Sequence, residues 1–225
     1  MNIGRISEIE LNPETAYLAG VIVGDGHISN KTKSKSDQSK DYRIAIELND
    51  LTFIKLIEKI IKDIIITKST TKKRPKIKGN RQQLYYFQFR NKSFHHFLTT
   101  TLGIKSGKKS AEVVVPKKIM QSLNLQKSFL AGLFDTDGGI RGNTIGFTSA
   151  SFSLIEEIHG ILENIDIKNS KESWINKKNN QAYFGIKLHS KSIDRFLNEL
   201  PFQNKEKLNK VFLSRGRAGA VKRDG

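Results

Sequence analysis

The sequence predicts an α+β protein made of two pseudo-symmetric halves, each with the element order αββαββα and its own antiparallel sheet. Three observations predict this fold: one short segment occurs twice, apolar residues with helical spacing follow each copy, and alternating apolar residues lie between the helices. Because the elements keep the same order in both copies, we expect an N-terminal half at 1–111, a linker at 112–124 and a C-terminal half at 125–225.

The repeated segment is the strongest of these signals. Residues 17–28 read YLAGVIVGDGHI and residues 129–140 read FLAGLFDTDGGI, so the copies align without a gap at an offset of 112. Such a duplication indicates a symmetric architecture. The shared residues are Leu18, Ala19, Gly20, Asp25, Gly26 and Ile28, which recur as Leu130, Ala131, Gly132, Asp137, Gly138 and Ile140.

Two further sets of residues recur downstream, and the first has the spacing of an amphipathic helix. The offset falls from 112 to 101 before this set, so the first half has about eleven additional residues, which segment 31–41 accounts for. The sets are Ile54, Ile57, Ile60, Ile61 and Ile64 with Ile155, Ile158, Ile161, Leu162 and Ile165, and, at an offset of 99, Lys92, Ser93, Phe97 and Leu98 with Lys191, Ser192, Phe196 and Leu197.

Between the helices, apolar residues alternate with polar ones, which is the period of a strand with one buried face. The clearest stretches are 43–49 and 85–90 in the first half and 183–188 in the second. The polar segments 67–83 and 169–181 are predicted to be the turns of the later hairpins. Each half then contributes four strands, and the polar faces of the two sheets remain free.

The helices of the repeated segment carry small residues at one-turn spacing, including Gly20 and Gly132. Small side chains let two helix backbones approach closely, so we expect these helices to pack side by side. Gly26 and Gly138 then suit helix C-terminal ends, where glycine adopts a left-handed conformation at low cost. This arrangement would bring Asp25 and Asp137 together. Two carboxylates at negative helix ends repel each other, and a divalent cation resolves that conflict.

The chain carries 39 basic and 22 acidic residues, a net charge of +17, which indicates a polyanionic partner such as DNA or RNA. Charge alone leaves a ribosome-associated or generally adhesive basic protein open. The sequence contains no cysteine, which excludes disulfides, zinc-thiolate sites and thiol nucleophiles. Neither a signal peptide nor an apolar run long enough for a membrane span is present, so we expect an intracellular protein.

The segments LAGVIVGDG and LAGLFDTDG resemble the two copies of the LAGLIDADG signature, and the chain is similar to LAGLIDADG homing endonucleases of the single-chain, two-motif type. This resemblance implies an intron-encoded, monomeric enzyme that makes a double-strand break in a long, non-palindromic DNA site. It places Mg²⁺, or another divalent cation such as Mn²⁺, on Asp25 and Asp137, at the eighth motif position. The host compartment would be a prokaryotic cytoplasm or an organelle that encodes the protein.

The resemblance also implies further site residues. The sixth motif position is Val23 in one copy and Asp135 in the other, so Asp135 is either structural or a substrate contact and receives no ligand role. A lysine near the end of each half is expected beside the scissile phosphate, and we predict Lys108 and Lys205. Weaker candidates for ordering water near the metal are Glu47, Asn49, Thr148 and Ser149.

Outward strand residues are expected to face the DNA major groove, where base edges carry a distinctive donor and acceptor pattern. Loops 31–41, 72–81 and 176–181 would extend the contact to phosphates, and the basic tail 214–225 either lacks order or crosses a phosphate backbone. The predicted DNA-contacting residues are Arg43, Tyr86, Gln88, Arg90, Thr144, Thr148, Tyr183 and Lys187.

Two other functions fit the same fold. One is an RNA maturase that assists splicing of its host intron, with intron RNA as partner, and the other is a DNA-binding regulator that does not cleave. Because both motif aspartates are present, the sequence favours the nuclease. No splicing domain is recognised beside the two halves, so we expect a free-standing enzyme rather than an intein.

Overall fold

The computed structural model describes residues 9–31, 40–75, 82–107, 111–141 and 144–221, with the backbone alone for 141 and 214–221. Within these ranges, no helix is long and apolar enough to cross a membrane. Segment 32–39, residues 76–81 of the predicted 72–81 loop and Lys108 lie outside the described residues. Expectations about them remain predictions.

The described part of the first half begins with helix α1, Pro13–Asp25, which contains the first repeated segment. Asn12 caps this helix: its side chain accepts from the Thr15 amide at 3.0 Å, and Thr15 bonds back to the Asn12 amide at 2.9 Å. The elements that follow are β1 Gly26–Ile28, β2 Arg43–Leu48, α2 Leu51–Ile64, β3 Lys72–Lys73, β4 Tyr85–Arg90 and α3 Lys92–His96, which continues as a turn of π-helix, Phe97–Thr101.

The second half repeats this order after a connection that contains one turn of 3₁₀-helix, Ile119–Gln121. Its first element, helix α4, contains the second repeated segment. The elements are α4 Leu123–Thr136, β5 Gly139–Arg141, β6 Thr144–Ser149, α5 Phe152–Asn164, β7 Asn169–Asn176, β8 Gln181–Leu188, α6 Ile193–Glu199 after a short 3₁₀ turn, and α7 Lys205–Val221.

The described strands form two antiparallel sheets of four, ordered β1-β2-β4-β3 and β5-β6-β8-β7. The α+β class and the αββαββα order predicted from the repeats are therefore confirmed. In the first sheet, Ile44 pairs with Phe89 and Ile46 with Phe87, and these residues are buried. In the second, Phe147 pairs with Ile186, both again buried. One face of each sheet thus lies in the core.

Each core face is covered by the helix that follows the second strand of its half. Helix α2 packs on β2 and β4 through Phe53, Ile54, Ile57 and Ile61, which are buried. Helix α5 packs on β6, β7 and β8 in the same way. The isoleucine pattern with helical spacing predicted this packing, because those positions form one apolar stripe.

Helices α1 and α4 form the main contact between the halves, and glycine makes their closeness possible. A Cβ atom built on Gly20 would lie 2.1 Å from the Phe129 carbonyl oxygen, and one on Gly132 would lie 2.1 Å from the Tyr17 carbonyl oxygen. The two contacts are the same contact related by the offset of 112. The predicted side-by-side packing of the motif helices is confirmed.

The expected left-handed conformation at Gly26 and Gly138 is not found. Gly26 has φ −91° and ψ 156°, which is extended backbone, and Gly138 is not among the described residues with positive φ. A Cβ would instead lie 2.5 Å from the Ile22 Cα at Gly26 and 2.5 Å from the Phe134 oxygen at Gly138. Glycine is required here because the chain turns back tightly against its own helix, and not because of a left-handed conformation.

The expectations for segment 169–181 and for the C-terminal tail need correction. Segment 169–181 is not only a turn, because Asn169–Asn176 forms the eight-residue strand β7. This strand lies at the edge of its sheet and most of its side chains are exposed, so it lacks the apolar alternation that marks an inner strand. The tail was expected to lack order or to cross a phosphate backbone; helix α7 continues to Val221, which contradicts the first alternative, and the second stays a prediction.

Candidate active site and free sheet faces

The two motif aspartates lie at the ends of the packed helices. Asp25 is the last residue of α1 and is half-buried, and Asp137 is the C-cap of α4 and is exposed. A carboxylate oxygen of Asp137 lies 3.4 Å from the position a Cβ on Gly24 would take, so the second aspartate reaches the last turn of the first helix. Burial raises the pKa of Asp25, and the charge of Lys207 opposes that shift.

Lys207 lies directly beneath this pair. Its ammonium donates to the carbonyl oxygens of Phe134 at 3.0 Å, Thr136 at 2.7 Å and Gly138 at 2.7 Å. These carbonyls belong to the C-terminal end of α4, where backbone oxygens lack helical partners and the helix dipole is negative. Burial lowers the pKa of Lys207, whereas the charges of Asp135, Asp25 and Asp137 raise it. One buried cation therefore interacts with both motif aspartates.

Asp135 fixes the element that carries Lys207. Its Oδ2 accepts from the Tyr17 hydroxyl at 2.7 Å, the Gln203 amide at 2.7 Å and the Asn204 amide at 3.2 Å. Asn204 in turn accepts from the Lys207 amide at 3.0 Å and so caps the start of α7. Asp135 is 2% exposed, and burial raises its pKa while these donors lower it. Of the two roles left open for Asp135, the structure supports the structural one.

The Asp135 contact also accounts for the difference between the two motif copies. Tyr17 aligns with Phe129 and Asp135 aligns with Val23 at the offset of 112. The polar pair therefore occurs on one side of the α1–α4 contact, and the aligned pair on the other side is apolar. All four residues are buried. Burying a carboxylate without partners is costly, so the tyrosine and the aspartate are required together.

A cleft of about 390 Å³ opens beside the aspartates. It lies between the halves, because Gly24 and Gly107 come from the first and Asp137, Thr148 and Tyr183 from the second. The Thr148 hydroxyl is buried and has no hydrogen-bond partner among the described residues. An unpaired buried hydroxyl beside a carboxylate is a place where a water molecule or a ligand oxygen would be stabilised.

The predicted lysines differ from the one that the structure places at the aspartates. Lys205 is exposed at the start of α7, two residues before Lys207, and Lys108 lies outside the described residues. The sequence contained a signal for Lys207. The offset of 99 that relates Lys92 to Lys191 also relates Lys108 to Lys207.

The weaker candidates have different surroundings. Thr148 and Ser149 both line the cleft, and the Ser149 hydroxyl already accepts a hydrogen bond from the Ser151 amide at 3.1 Å. Glu47 accepts from Arg74 at 2.6 Å, and Asn49 donates to Gln82. The pairing of Gly26 with Ile46 places Glu47 beside the strand start that follows Asp25. Of the four candidates, Thr148 is the one with a buried hydroxyl that lacks a partner among the described residues.

The free face of the first sheet carries the residues predicted for it. Arg43 lies opposite Arg90, Ala45 opposite Gln88 and Glu47 opposite Tyr86. Arg74, just after β3, places its guanidinium 4.7 Å from the centre of the Tyr86 ring. This face is therefore polar and mainly basic.

The free face of the second sheet carries the residues predicted for it except one. Lys187 and Tyr183 lie on it beside Thr148, but Thr144 is buried and its hydroxyl donates to the Leu188 carbonyl. Thr144 cannot present its hydroxyl to a ligand because the next strand of the sheet already accepts it. The prediction for Thr144 is corrected.

Trp174 was not predicted, and it is the largest side chain on this face. The register places it opposite Tyr183, and the two rings stack with centroids 6.1 Å apart and an interplanar angle of 17°. A Cβ on Gly185 would lie 2.9 Å from Glu172 and 3.3 Å from Trp174, so this glycine lets both side chains lie across β8. Trp174 escaped detection because it lies on the exposed edge strand, which has no apolar alternation.

The residues present fit a Mg²⁺ or Mn²⁺ ion. No group of three or more histidine, cysteine or acidic side chains suited to a metal occurs among the described residues, so these residues alone form no complete cage. Magnesium commonly uses one or two carboxylates and completes its shell with water and substrate phosphate. Asp25 and Asp137 supply such a pair, and the unpaired Thr148 hydroxyl beside them suits an ordered water.

Comparison with known proteins gives a family for this arrangement. A family model described as "LAGLIDADG-like domain" matches residues 124–201, which include α4 and the second sheet. The second half of the chain therefore contains a LAGLIDADG-like domain. Solved LAGLIDADG structures share the fold: the homing endonuclease I-WcaI bound to its DNA recognition sequence has a TM-score of 0.63 at 19% identity and covers 94% of this chain and 95% of its own.

Two other similar proteins complete the comparison. The homing endonuclease I-DmoI in complex with DNA and manganese has a TM-score of 0.62 at 19% identity, over 84% of this chain and 96% of that one. The replication factor C small subunit of Methanocaldococcus jannaschii is 30% identical over 207 residues, which is 91% of this chain. The chain spans only 10% of the length of that protein.

Proposed function

We propose that this LAGLIDADG protein is a site-specific DNA endonuclease that hydrolyses both strands of a long, non-palindromic site with Mg²⁺ or Mn²⁺. One observation carries the proposal. The close approach of α1 and α4 brings Asp25 and Asp137 together at a cleft between the two halves, beside the free faces of both sheets. A helix contact that served stability alone would gain nothing from placing two carboxylates at its negative end.

Charge supports double-stranded DNA as the ligand. The chain carries a net charge of +17, and Arg43, Arg90 and Lys187 lie on the free faces. Arginine and glutamine make bidentate bonds with guanine and adenine in the major groove. Arg90 and Gln88 are placed for such contacts, and I-WcaI and I-DmoI, which share this fold, were solved bound to DNA.

The residues of the chain divide the chemical work. A divalent cation held by the two aspartates would supply the Lewis acidity and the activated water that phosphodiester hydrolysis needs. Asp25 and Asp137 would hold it. Lys207 keeps positive charge beside both carboxylates while it holds the end of α4, and the Thr148 hydroxyl would hydrogen-bond a water in the cleft. We assign no catalytic role to Asp135, because its Oδ2 binds Tyr17 and the 203–204 amides.

Because both aspartates lie in one chain, we propose that the protein acts as a monomer. The halves predicted at 1–111 and 125–225, with 112–124 as the linker, would each supply one motif helix and one sheet; helix α4 of the second half begins at Leu123. The two free faces differ: the first carries Arg43 and Arg90, and the second carries the stacked Trp174 and Tyr183. Different side chains read different bases, so the two half-sites should differ in sequence.

Substitution of the two motif aspartates tests the proposed function. Asp25→Asn and Asp137→Asn should each abolish double-strand cleavage of the selected site in Mg²⁺ and leave binding to it in gel shifts within a few-fold of the parent. Asp63→Asn is the matched control, since Asp63 is an exposed carboxylate in the last turn of α2. Full cleavage by either motif variant would exclude the assignment, and equal loss in the control would show a general effect of lost charge.

A further inference from the structure

Two arginines face each other directly on the free face of the first sheet. The register pairs Arg43 of β2 with Arg90 of β4, so two positive side chains stand at neighbouring positions. Like charges directly opposite each other across a strand pair are destabilising. Their side chains are 32% and 56% exposed, so water screens the repulsion only in part. A third group must compensate if both are to keep a fixed position.

Asp41 is that group. Its Oδ1 accepts from Arg90 Nε at 2.8 Å, and its Oδ2 lies 3.3 Å from Arg43 Nε and 3.4 Å from the Ser29 hydroxyl. The Asp41 side chain is only 5% exposed, and its amide bonds to the Lys31 carbonyl at 2.9 Å. A buried carboxylate with several partners is held in one position, and it holds its partners in turn.

The geometry of the contact leaves the other side of each guanidinium available. Asp41 accepts a hydrogen bond from Arg90 Nε and forms an ion pair with Arg43 Nε at 3.3 Å. Bidentate recognition of guanine O6 and N7 uses two donors of the planar guanidinium fork. A carboxylate at Nε fixes the plane of the group while the terminal nitrogens, on the far edge, extend away from it. The terminal nitrogens of both guanidinium groups are thus held in a fixed orientation and are free of Asp41.

The position of Arg43 and Arg90 along their strands limits what they can contact. Glu47, which the strand register places beside Asp25, is four residues along β2 from Arg43. At about 3.3 Å per residue this separation is roughly 13 Å along the strand. The arginines therefore lie too far from the aspartates to touch the phosphate that is cleaved, and on DNA bound to this face they would lie over one half-site.

We propose that Asp41 is a positioning residue that presents Arg43 and Arg90 as a paired guanine reader, so the half-site bound by the first sheet contains two guanines at the positions these arginines contact. The proposal rests on the proposed function and names a feature of its substrate. Asp41 touches no DNA itself. It acts through the two guanidinium groups, and its loss should change which bases are selected more than how strongly DNA is bound.

The test is selection by binding from a duplex library randomised in the first half-site, with no cleavage step. The parent protein should select two guanines. Asp41→Asn should reduce the preference for each guanine about 5- to 100-fold, the range expected for a lost bidentate contact. Its affinity for non-specific duplex should not fall, because the variant has one negative charge fewer. A role limited to stability would lower the melting temperature and leave the selected bases unchanged.

Two further sets of variants keep the result decisive. Asp166→Asn is the matched control, because Asp166 pairs with Arg195 at 2.7 Å on the surface and has a left-handed backbone, φ 57°, that asparagine tolerates. It should select the parental site. If Asp41→Asn does not fold, Arg43→Lys and Arg90→Lys replace it, since each keeps its charge and loses the fork. Each should lose one guanine.

The outcomes separate the two proposals. A parent protein that selects no DNA site would overturn the proposed function together with the guanine reader. A parent that selects a site without two guanines in this half, or an Asp41→Asn variant that selects the parental bases, would overturn the guanine reader alone. Lysine variants that keep both guanines would do the same.

Discussion

Replacing Gly132 by alanine tests whether the closeness of α1 and α4 sets the geometry of the aspartates. The added Cβ would lie 2.1 Å from the Tyr17 carbonyl oxygen and 3.0 Å from the Val21 amide nitrogen. Both are backbone atoms, so no side chain can rotate away. The helices must separate by about 1.3 Å to reach 3.4 Å, where ordinary van der Waals contact begins.

This separation has two measurable costs. Overpacking of a tight contact typically destabilises by about 1–3 kcal/mol, which for a protein of this size lowers Tm by roughly 2–4 °C per kcal/mol. It also moves Asp137 relative to Asp25. A displacement of ~1 Å at a reacting centre can reduce the rate about 100-fold. Single-turnover cleavage should therefore fall by a larger factor than the loss of stability alone produces.

Gly160→Ala is the control for this experiment. Gly160 lies inside helix α5, and a Cβ there would meet no atom within 4 Å. Alanine in a helix interior is favoured over glycine by about 1 kcal/mol, so this variant should be slightly more stable and fully active. If Gly132→Ala matched Gly160→Ala in Tm and in cleavage rate, the close helix contact would not control the site.

Three other predictions concern separate features. Tyr17→Phe removes the hydroxyl that donates to buried Asp135, so the free energy of unfolding in urea should fall by about 2 kcal/mol, and an unchanged midpoint would contradict this. Burial lowers the pKa of the His95 imidazole below the ordinary value of 6.5. The folded protein therefore binds fewer protons at this residue than the unfolded chain does, so the free energy of unfolding falls as pH drops from 6.5 toward the folded pKa. Above pH 6.5 the imidazole is neutral in both states and this loss is absent. His95→Gln should thus narrow the difference in Tm between pH 8 and pH 5.5, and an equal difference would exclude this cause. DNA affinity should fall on the order of 10³- to 10⁵-fold between ~50 and ~200 mM salt, and a flat response would argue against extensive phosphate contact.

The repeats made the fold predictable. Two copies of a segment, each followed by the same spacings, restrict the chain to two similar halves, and isoleucines such as Ile54 and Ile155 have no alternative to the core in a chain this polar. The approach of the helices was predictable for a similar reason. Small residues at one-turn spacing, such as Gly20 and Gly132, permit a contact that larger side chains prevent.

What escaped prediction depends on contacts between distant segments. Strand β7 is held by pairing with β8, so its own sequence carries no apolar pattern. The choice of Lys207 over Lys205 depends on where Asp135 and Asn204 fix the start of α7. Thr144 alternates in phase with its neighbours, and only the path of the adjacent strand decides that its hydroxyl bonds to Leu188. Local patterns do not contain this information.

The most direct test of the account is sequencing of the products that the purified protein releases from a fully randomised duplex library in Mg²⁺ and in EDTA. Cleavage in Mg²⁺ alone, on both strands of one long site with dissimilar halves, is the predicted result. Products that form equally in EDTA would contradict the metal site on Asp25 and Asp137. A perfect palindrome would contradict the single-chain, two-sheet reading of the site, and the lack of any cleaved product would contradict the nuclease itself.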